Sequence, residues 1–330
     1  MRDVYLKIVN LFGIEAVVSL VNFLNIIIIA RFLNIDDFAL WGVLVVLLRI
    51  GEVISRPKTD LATIYLSGTN KWQISNILSH SLVLSVLFSL FVGIIIFLLE
   101  PYFQKFLFSK YSNYNESYIY LIVAILFLSN IFINYKYIFL AKQQGVNYGI
   151  VELIRSFSSF AFILILIGNG ALDIFGILYA TIFSNIISII ISLIIFYREE
   201  DFQLDNKSKL YKEIISKGFQ FYLIGIFSQI NISLPILLAS RFFSPEITGF
   251  LIISKNFIEL VLTRFLSPFS NIAYSSLSHL DNNKSKVLVS IDLAAKCLLL
   301  MIMASMPLFL FGDHLIILFY GEKFLDDSII

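Results

Sequence analysis

The stretch "ARFLNIDDFALWG", Ala30 to Gly42, is nearly repeated by "SRFFSPEITGFLI", Ser240 to Ile252. Each closes an apolar run on Arg-Phe, passes a short polar turn carrying an acid, and opens a second apolar run. Arg241 follows Arg31 by 210 positions, and the same shift carries Phe32 onto Phe242 and Asp36 onto Glu246. Two apolar segments joined by a turn, written twice, describe a duplicated helical hairpin.

The surroundings fix the solvent. Hydrophobic residues make up 58% of the 330 and charged residues 14%, against about 45–50% and about 25% in soluble domains. Mean hydropathy is +0.88. Lipid, and not water, accommodates that much apolar surface. A net charge of +1 gives no basic field for nucleic acid. Cys297 is the single cysteine, so no disulfide forms within the chain and a thiolate metal site is not expected. His80, His279 and His314 are scattered. No phosphate loop, dinucleotide glycine pattern, HExxH or GxSxG is present, so neither a cofactor nor a catalytic residue is expected.

A bilayer span needs about 20 apolar residues. That ruler predicts nine: Ile8–Ala30, Phe38–Ser55, Ser81–Leu99, Ser117–Leu140, Ile150–Gly168, Ile174–Phe196, Gly218–Ser240, Ile247–Ser270 and Val287–Phe311. Backbone groups in lipid must find partners within their own segment, so these are helices. "NIISIIISLIIF" is apolar on every face, unlike the alternating strands of a membrane barrel. The predicted fold is therefore an all-α polytopic membrane protein.

Basic residues orient it. With the N-terminus cytoplasmic, the inner segments collect Arg2, Lys7, Arg56, Lys58, Lys71, Lys142, Arg155, Arg198, Lys207, Lys209, Lys212, Lys217, Lys284 and Lys286. The outer ones hold Arg31, Lys105, Lys110, Arg241 and Lys323. That asymmetry places the N-terminus inside. The expected organisation is a six-helix lobe over 1–200, a cytoplasmic linker over 201–217, and a second lobe over 218–330. Six crossings return the chain to its starting side, so the two lobes are parallel-type repeats about an axis along the membrane normal. Counterparts of helices four to six would fall near 327–406, which leads to the expectation of a second lobe cut short at Ile330.

Ionisable residues within spans are costly and usually face protein or water. They are Glu15, Arg49 with Glu52, Lys136, Lys255 with Glu259, Arg264, and Asp292 with Lys296. The i,i+3 and i,i+4 spacings put each pair on one face, where mutual neutralisation competes with a role in a wet cavity. Arg49 and Lys255 are the candidate contacts for a phosphorylated headgroup, with Arg31 and Arg241 at the outer mouth. Glu15 and Asp292 are candidates for ion coupling. Pro235, after Gln229, Asn231 and Ser233, is a candidate hinge.

The doubled stretch resembles the segment after the first and seventh helices of Wzx-type polysaccharide transporters. These are the O-antigen and capsule flippases of the multidrug/oligosaccharidyl-lipid/polysaccharide exporter superfamily. The family pattern runs roughly Ala-x-x-Leu-Gly-x-Glu-x-x-Gly-x-Tyr. Here Asn34 and Ser244 replace the first glycine, Asp36 and Glu246 supply the acid, Gly249 keeps the second glycine and Ala39 replaces it. "LIILFYGEKFLDD", Leu315 to Asp327, is similar to the family's stretch after helix nine. The resemblance implies two six-helix lobes around a central cavity. It also implies export of undecaprenyl-diphosphate-linked repeat units (O-antigen, capsule or exopolysaccharide) across the bacterial inner membrane by alternating access. A polysaccharide polymerase and a chain-length regulator are the implied partners. Related lipid flippases hold headgroups with cations on helices 1, 2 and 8, where Arg31, Arg49 and Lys255 fall. Two alternatives stand beside this reading: a cation-coupled drug exporter with an acidic cavity, and a glycan polymerase or glycosyltransferase, which needs a longer outer loop.

Overall fold

Turns and prolines punctuate the apolar runs, and the helices start and stop where they dictate. The computed structural model describes residues 2–69, 71–142, 144–198, 208–259 and 317–321, together with isolated helical positions between 291 and 314. Helix α1 (Arg2–Phe32) ends at Leu33, and Asn34 caps α2 (Ile35–Ile54) by accepting from the Asp37 amide at 2.7 Å. After α2 come α3 (Thr59–Gly68), α4 (Ile74–Leu98), the short α5 (Glu100–Phe106) and α6 (Ser117–Ala141). Then α7 (Gly145–Gly168) turns through Gly170, at φ 64°, into α8 (Ile174–Tyr197). Asp173 caps α8 by accepting from the Gly176 amide. Finally α9 (Ser208–Phe242) leads into α10 (Pro245–Glu259), whose proline occupies the first helical position, where its missing N–H is harmless.

Every described element is a helix, and the molecule is a polytopic membrane protein. Six stretches are long and apolar enough to cross: Gly13–Phe32, Ile74–Leu98, Ser117–Ala141, Gly145–Gly168, Ile174–Tyr197 and Phe221–Phe242. A seventh candidate is a bent pair, a broken span or a re-entrant loop. Helices α2 and α3 pass the same test together and meet at 40°. The break is written as "SRPK": Pro57 cannot donate to the ladder, and Lys58 takes the left-handed conformation at φ 51°. The expectation of a span ending at Ser55 missed α3. The eighth expected span is described as far as Glu259, so its Arg264 lies outside the described residues, as does the ninth with Asp292 and Lys296, apart from isolated positions.

Helix α9 starts at Ser208, inside the stretch expected as a linker. Leu210 and Ile214 are fully buried against Ala62, Leu66, Ile77 and Leu84 of α3 and α4. Glu213 bonds Lys71, and accepts from the Trp72 indole at 2.9 Å. The N-terminal end of α9 is therefore a packed helix with an apolar face, which a count of its charges hides.

A polar seam runs through the interior of α3, α4, α6 and α8. Asn130 donates to Ser55 and Ser89, both at 2.6 Å, while Asn134 donates to Ser85 at 2.8 Å. Thr63 and Ser81 share a bond at 3.1 Å, and Asn185 reaches Ser129 at 3.3 Å. Water and aliphatic side chains do not drive helices together in lipid, so small polar residues that permit close approach and bond across the interface do.

Candidate functional site

Between the two hairpins lies a cavity of about 210 Å³. Helix α1 contributes Asn22, Asn25, Ile26 and Ile29, and α2 contributes Trp41, Gly42, Val45, Val46 and Arg49. The rest comes from Ser159 and Ile163 of α7, Ile177 and Thr181 of α8, Ile236 of α9, and Ile252, Lys255 and Asn256 of α10. Counting 1.5 Å per residue from the Ile35 and Pro245 ends, Arg49 lies about 21 Å and Lys255 about 15 Å down its helix. Measured against a hydrocarbon core about 30 Å thick, Lys255 is at the middle and Arg49 about 6 Å past it. No carboxylate lines this cavity among the described residues.

The cavity sits on the repeat axis. Ile26 and Ile236, Gly42 and Ile252, Val45 and Lys255, and Val46 and Asn256 all line it, and each pair is related by the 210-residue shift. Contacts along the α2–α10 seam join repeat mates in the same way. A methyl placed on Gly249 would lie 3.8 Å from the Cβ of Ala39. One placed on Gly42 would fall 2.2 Å from the Cδ1 of Ile252. Asp36 and Glu246 sit within electrostatic reach of each other. Residues that touch their own counterparts mark a two-fold axis, as in an isologous interface.

Of the four cations singled out by sequence, the structure brings Arg49 and Lys255 to one cavity and puts Arg31 and Arg241 elsewhere. Arg31, in the last turn of α1, donates to the carbonyls of Leu318 and of Phe319, the latter at 2.9 Å. Phe319 in turn packs edge-on against Phe23. Arg241, in the last turn of α9, stacks over the Phe106 ring of α5 at 4.9 Å. Nearby, Lys110 donates to the Phe243 carbonyl at 2.9 Å. Both arginines thus tie helix ends together. Tyr111, in the loop between α5 and α6, is buried there, and that burial pushes its phenol up to about 12.

Glu15 lies on the α1 face packed against α7, one residue from Ile14, against which Gly149 closes tightly. Its charge reaches Tyr148. Asp292 is outside the described residues. Pro235 lies exposed within α9, which continues on either side of it, and Gln229 bonds Ser233 one turn before it at 2.8 Å.

Sequence reasoning missed a charged cluster between α6 and α7. Glu152 receives Lys136 at 2.6 Å and Arg155 at 3.2 Å; Lys136 also lies over Tyr148 at 4.5 Å, and Arg155 over Phe132 at 4.9 Å. Arg155 is within electrostatic reach of Glu52. The i,i+3 spacing of Glu152 and Arg155 was a readable signal, but both fall near the expected helix start and pass for boundary charges.

The comparisons with known proteins place this bundle of helices and its cavity in a family. A family model described as polysaccharide biosynthesis protein matches residues 28–328, and the chain belongs to that family. Among solved structures, the fold resembles the MATE multidrug transporter DinF-BH (TM-score 0.69, 15% identity, 96% of this chain and 74% of that one). It resembles an inward-facing multidrug resistance MATE transporter of the MOP superfamily (0.58, 16%, 96% and 76%). A MOP superfamily transporter from Pyrococcus furiosus, described as having a binding pocket of reverse polarity, matches at 0.56 and 12%, over 98% and 76%. No curated protein matches the chain by sequence.

Proposed function

We propose that this transporter is a flippase for polyprenyl-diphosphate-linked oligosaccharide in the bacterial inner membrane, working by alternating access between a lobe over 1–200 and a second over 218–330. The observation that carries the reading is the pairing of Arg49 with Lys255 in one mid-membrane cavity whose described lining has no carboxylate. A diphosphate needs cations, and an arginine fork holds it in two places. Membership of a polysaccharide biosynthesis family supports a glycan as the cargo. The cavity's 210 Å³ falls below the roughly 300–1,000 Å³ of sites that enclose a drug-sized ligand. A glycan lipid therefore enters only after the seam between α2 and α10 opens. Arg31 and Arg241 then act on that closure at the outer end, Pro235 gives α9 its flexing point, and Glu15 is the coupling candidate among the described residues.

The likeness to drug exporters favours a second reading, a cation-coupled multidrug exporter. A cationic drug would be repelled by Arg49 and Lys255 unless acids outweighed them, so the cavity's charge separates the two readings. In cells whose surface glycan depends on this chain, Arg49→Ala with Lys255→Ala is expected to lower glycan display at least tenfold at unchanged protein level. Native display by the double variant, with drug resistance that depends on the chain, contradicts the proposal.

A further inference from the structure

The cavity's lining is divided in kind. Its cations come from α2 and α10, whereas α1, α7 and α8 contribute uncharged Asn22, Asn25, Ser159 and Thr181. Resting on the flippase reading, we infer that this uncharged wall is the subsite for the sugar attached to the diphosphate, and that it sets glycan preference separately from headgroup affinity.

Phosphate oxygens accept hydrogen bonds and donate none, and Arg and Lys donate and never accept. Amides and hydroxyls do both, as the hydroxyls of a neutral sugar require of a partner. Asn25 is 6% exposed, and its Oδ1 has no hydrogen-bond partner among the described residues. A buried amide oxygen left unpaired is unfavourable, so a donor arriving with the ligand relieves a standing cost. The Thr181 hydroxyl spends its hydrogen on the Ile177 carbonyl at 2.9 Å, which leaves its oxygen as an acceptor. By helical rise, Asn25 and Thr181 lie about 10 Å from the outer ends of α1 and α8, against about 15–21 Å for the cations on their helices. Asn22 and Ser159, at about 15 Å and about 13 Å, reach the depth of Lys255, so the sugar subsite overlaps the diphosphate subsite and extends from it toward the outer face.

An ethanolamine phospholipid also combines phosphate with hydrogen-bond donors, so the test includes one. The full chain, purified into nanodiscs, is titrated with polyprenyl diphosphate, with polyprenyl diphosphate bearing a disaccharide, and with phosphatidylethanolamine, and binding is read by native mass spectrometry. Asn25→Leu and the near-isosteric Thr181→Val are each expected to weaken the sugar-bearing lipid about fivefold, the scale of one hydrogen bond. Bare polyprenyl diphosphate should change by less than twofold. Arg49→Ala is expected to weaken both polyprenyl lipids. Equal weakening of both by Asn25→Leu and Thr181→Val overturns the sugar subsite. So does no weakening of either, or phosphatidylethanolamine falling in step with the sugar-bearing lipid. If Arg49→Ala leaves both unchanged, the headgroup reading fails instead, which is a distinct result.

Discussion

Arg49 and Lys255 illustrate what one position in a membrane helix discloses. A cation in mid-span is expensive, so the sequence alone marks it as facing water or protein. That argument picked both residues, and they share a cavity. Arg31 and Arg241 stand out instead as flanking residues at helix ends, where a cation is inexpensive, and their partners are carbonyls and an aromatic ring. Nothing local distinguishes a guanidinium that clamps two elements from one that binds a ligand; the partner is decided 287 residues away in the case of Arg31 and Leu318. Glycine is harder still to read. Gly218 closes on the break after α2, where an added Cβ would stand 2.2 Å from the Pro57 carbonyl oxygen. Backbone cannot swing aside as a side chain does, so Gly218→Ala is expected to destabilise the protein by about 1–3 kcal/mol, read as a lowered unfolding midpoint in detergent. An unchanged midpoint would show that α9 does not sit against the break.

At the scale of elements, hydropathy marked the apolar cores of the helices and blurred their ends. Apolar runs show where lipid must be, but they are silent on how far a helix continues into water. Hence α4 begins at Ile74 and α9 at Ser208, each well before its apolar run. Pro57 makes the break between α2 and α3 legible, but the short apolar segment after it lacks the length of a span, so a hydropathy ruler ends at Ser55. At that break, Tyr222 of α9 donates to the freed Ile54 carbonyl at 2.6 Å. The clasp of Glu213 with Lys71 and Trp72 pins the same end. The hydrogen bonds from Lys71 and Trp72 hold the Glu213 carboxyl below its usual range. A carboxylate depressed on folding contributes stability above the ordinary glutamate range, and loses it as pH falls through the folded value. Acidification below about pH 4.5 should therefore raise protease access to residues 208–217, and Glu213→Gln should flatten that dependence; equal pH profiles would remove the clasp. Within the seam, Asn130→Ala is expected to cost about 0.6–1.7 kcal/mol, measured by unfolding in detergent.

For the whole molecule, the doubled stretch proved the most informative feature, because a shift of 210 predicts which residues meet at the centre. Ala39 and Gly249 are such mates, with Cβ positions 3.8 Å apart, within the span a disulfide bridges. In a Cys297→Ser background, Ala39→Cys with Gly249→Cys should cross-link under mild oxidation. Cross-linking should also stop glycan display until reductant is added. Ready cross-linking without loss of display would mean that the seam stays shut during transport. The pseudo-symmetry also fits where the cavity lies, since matching faces of the two hairpins line it. The most direct measurement is translocation itself. Proteoliposomes carrying the purified chain and a polyprenyl-diphosphate oligosaccharide are assayed for the fraction of glycan that a membrane-impermeant lectin reaches. The native chain should equilibrate the glycan between leaflets, and Arg49→Ala with Lys255→Ala should slow exchange to the rate of empty liposomes. Native-rate exchange by the double variant, or none by the native chain, would contradict the account.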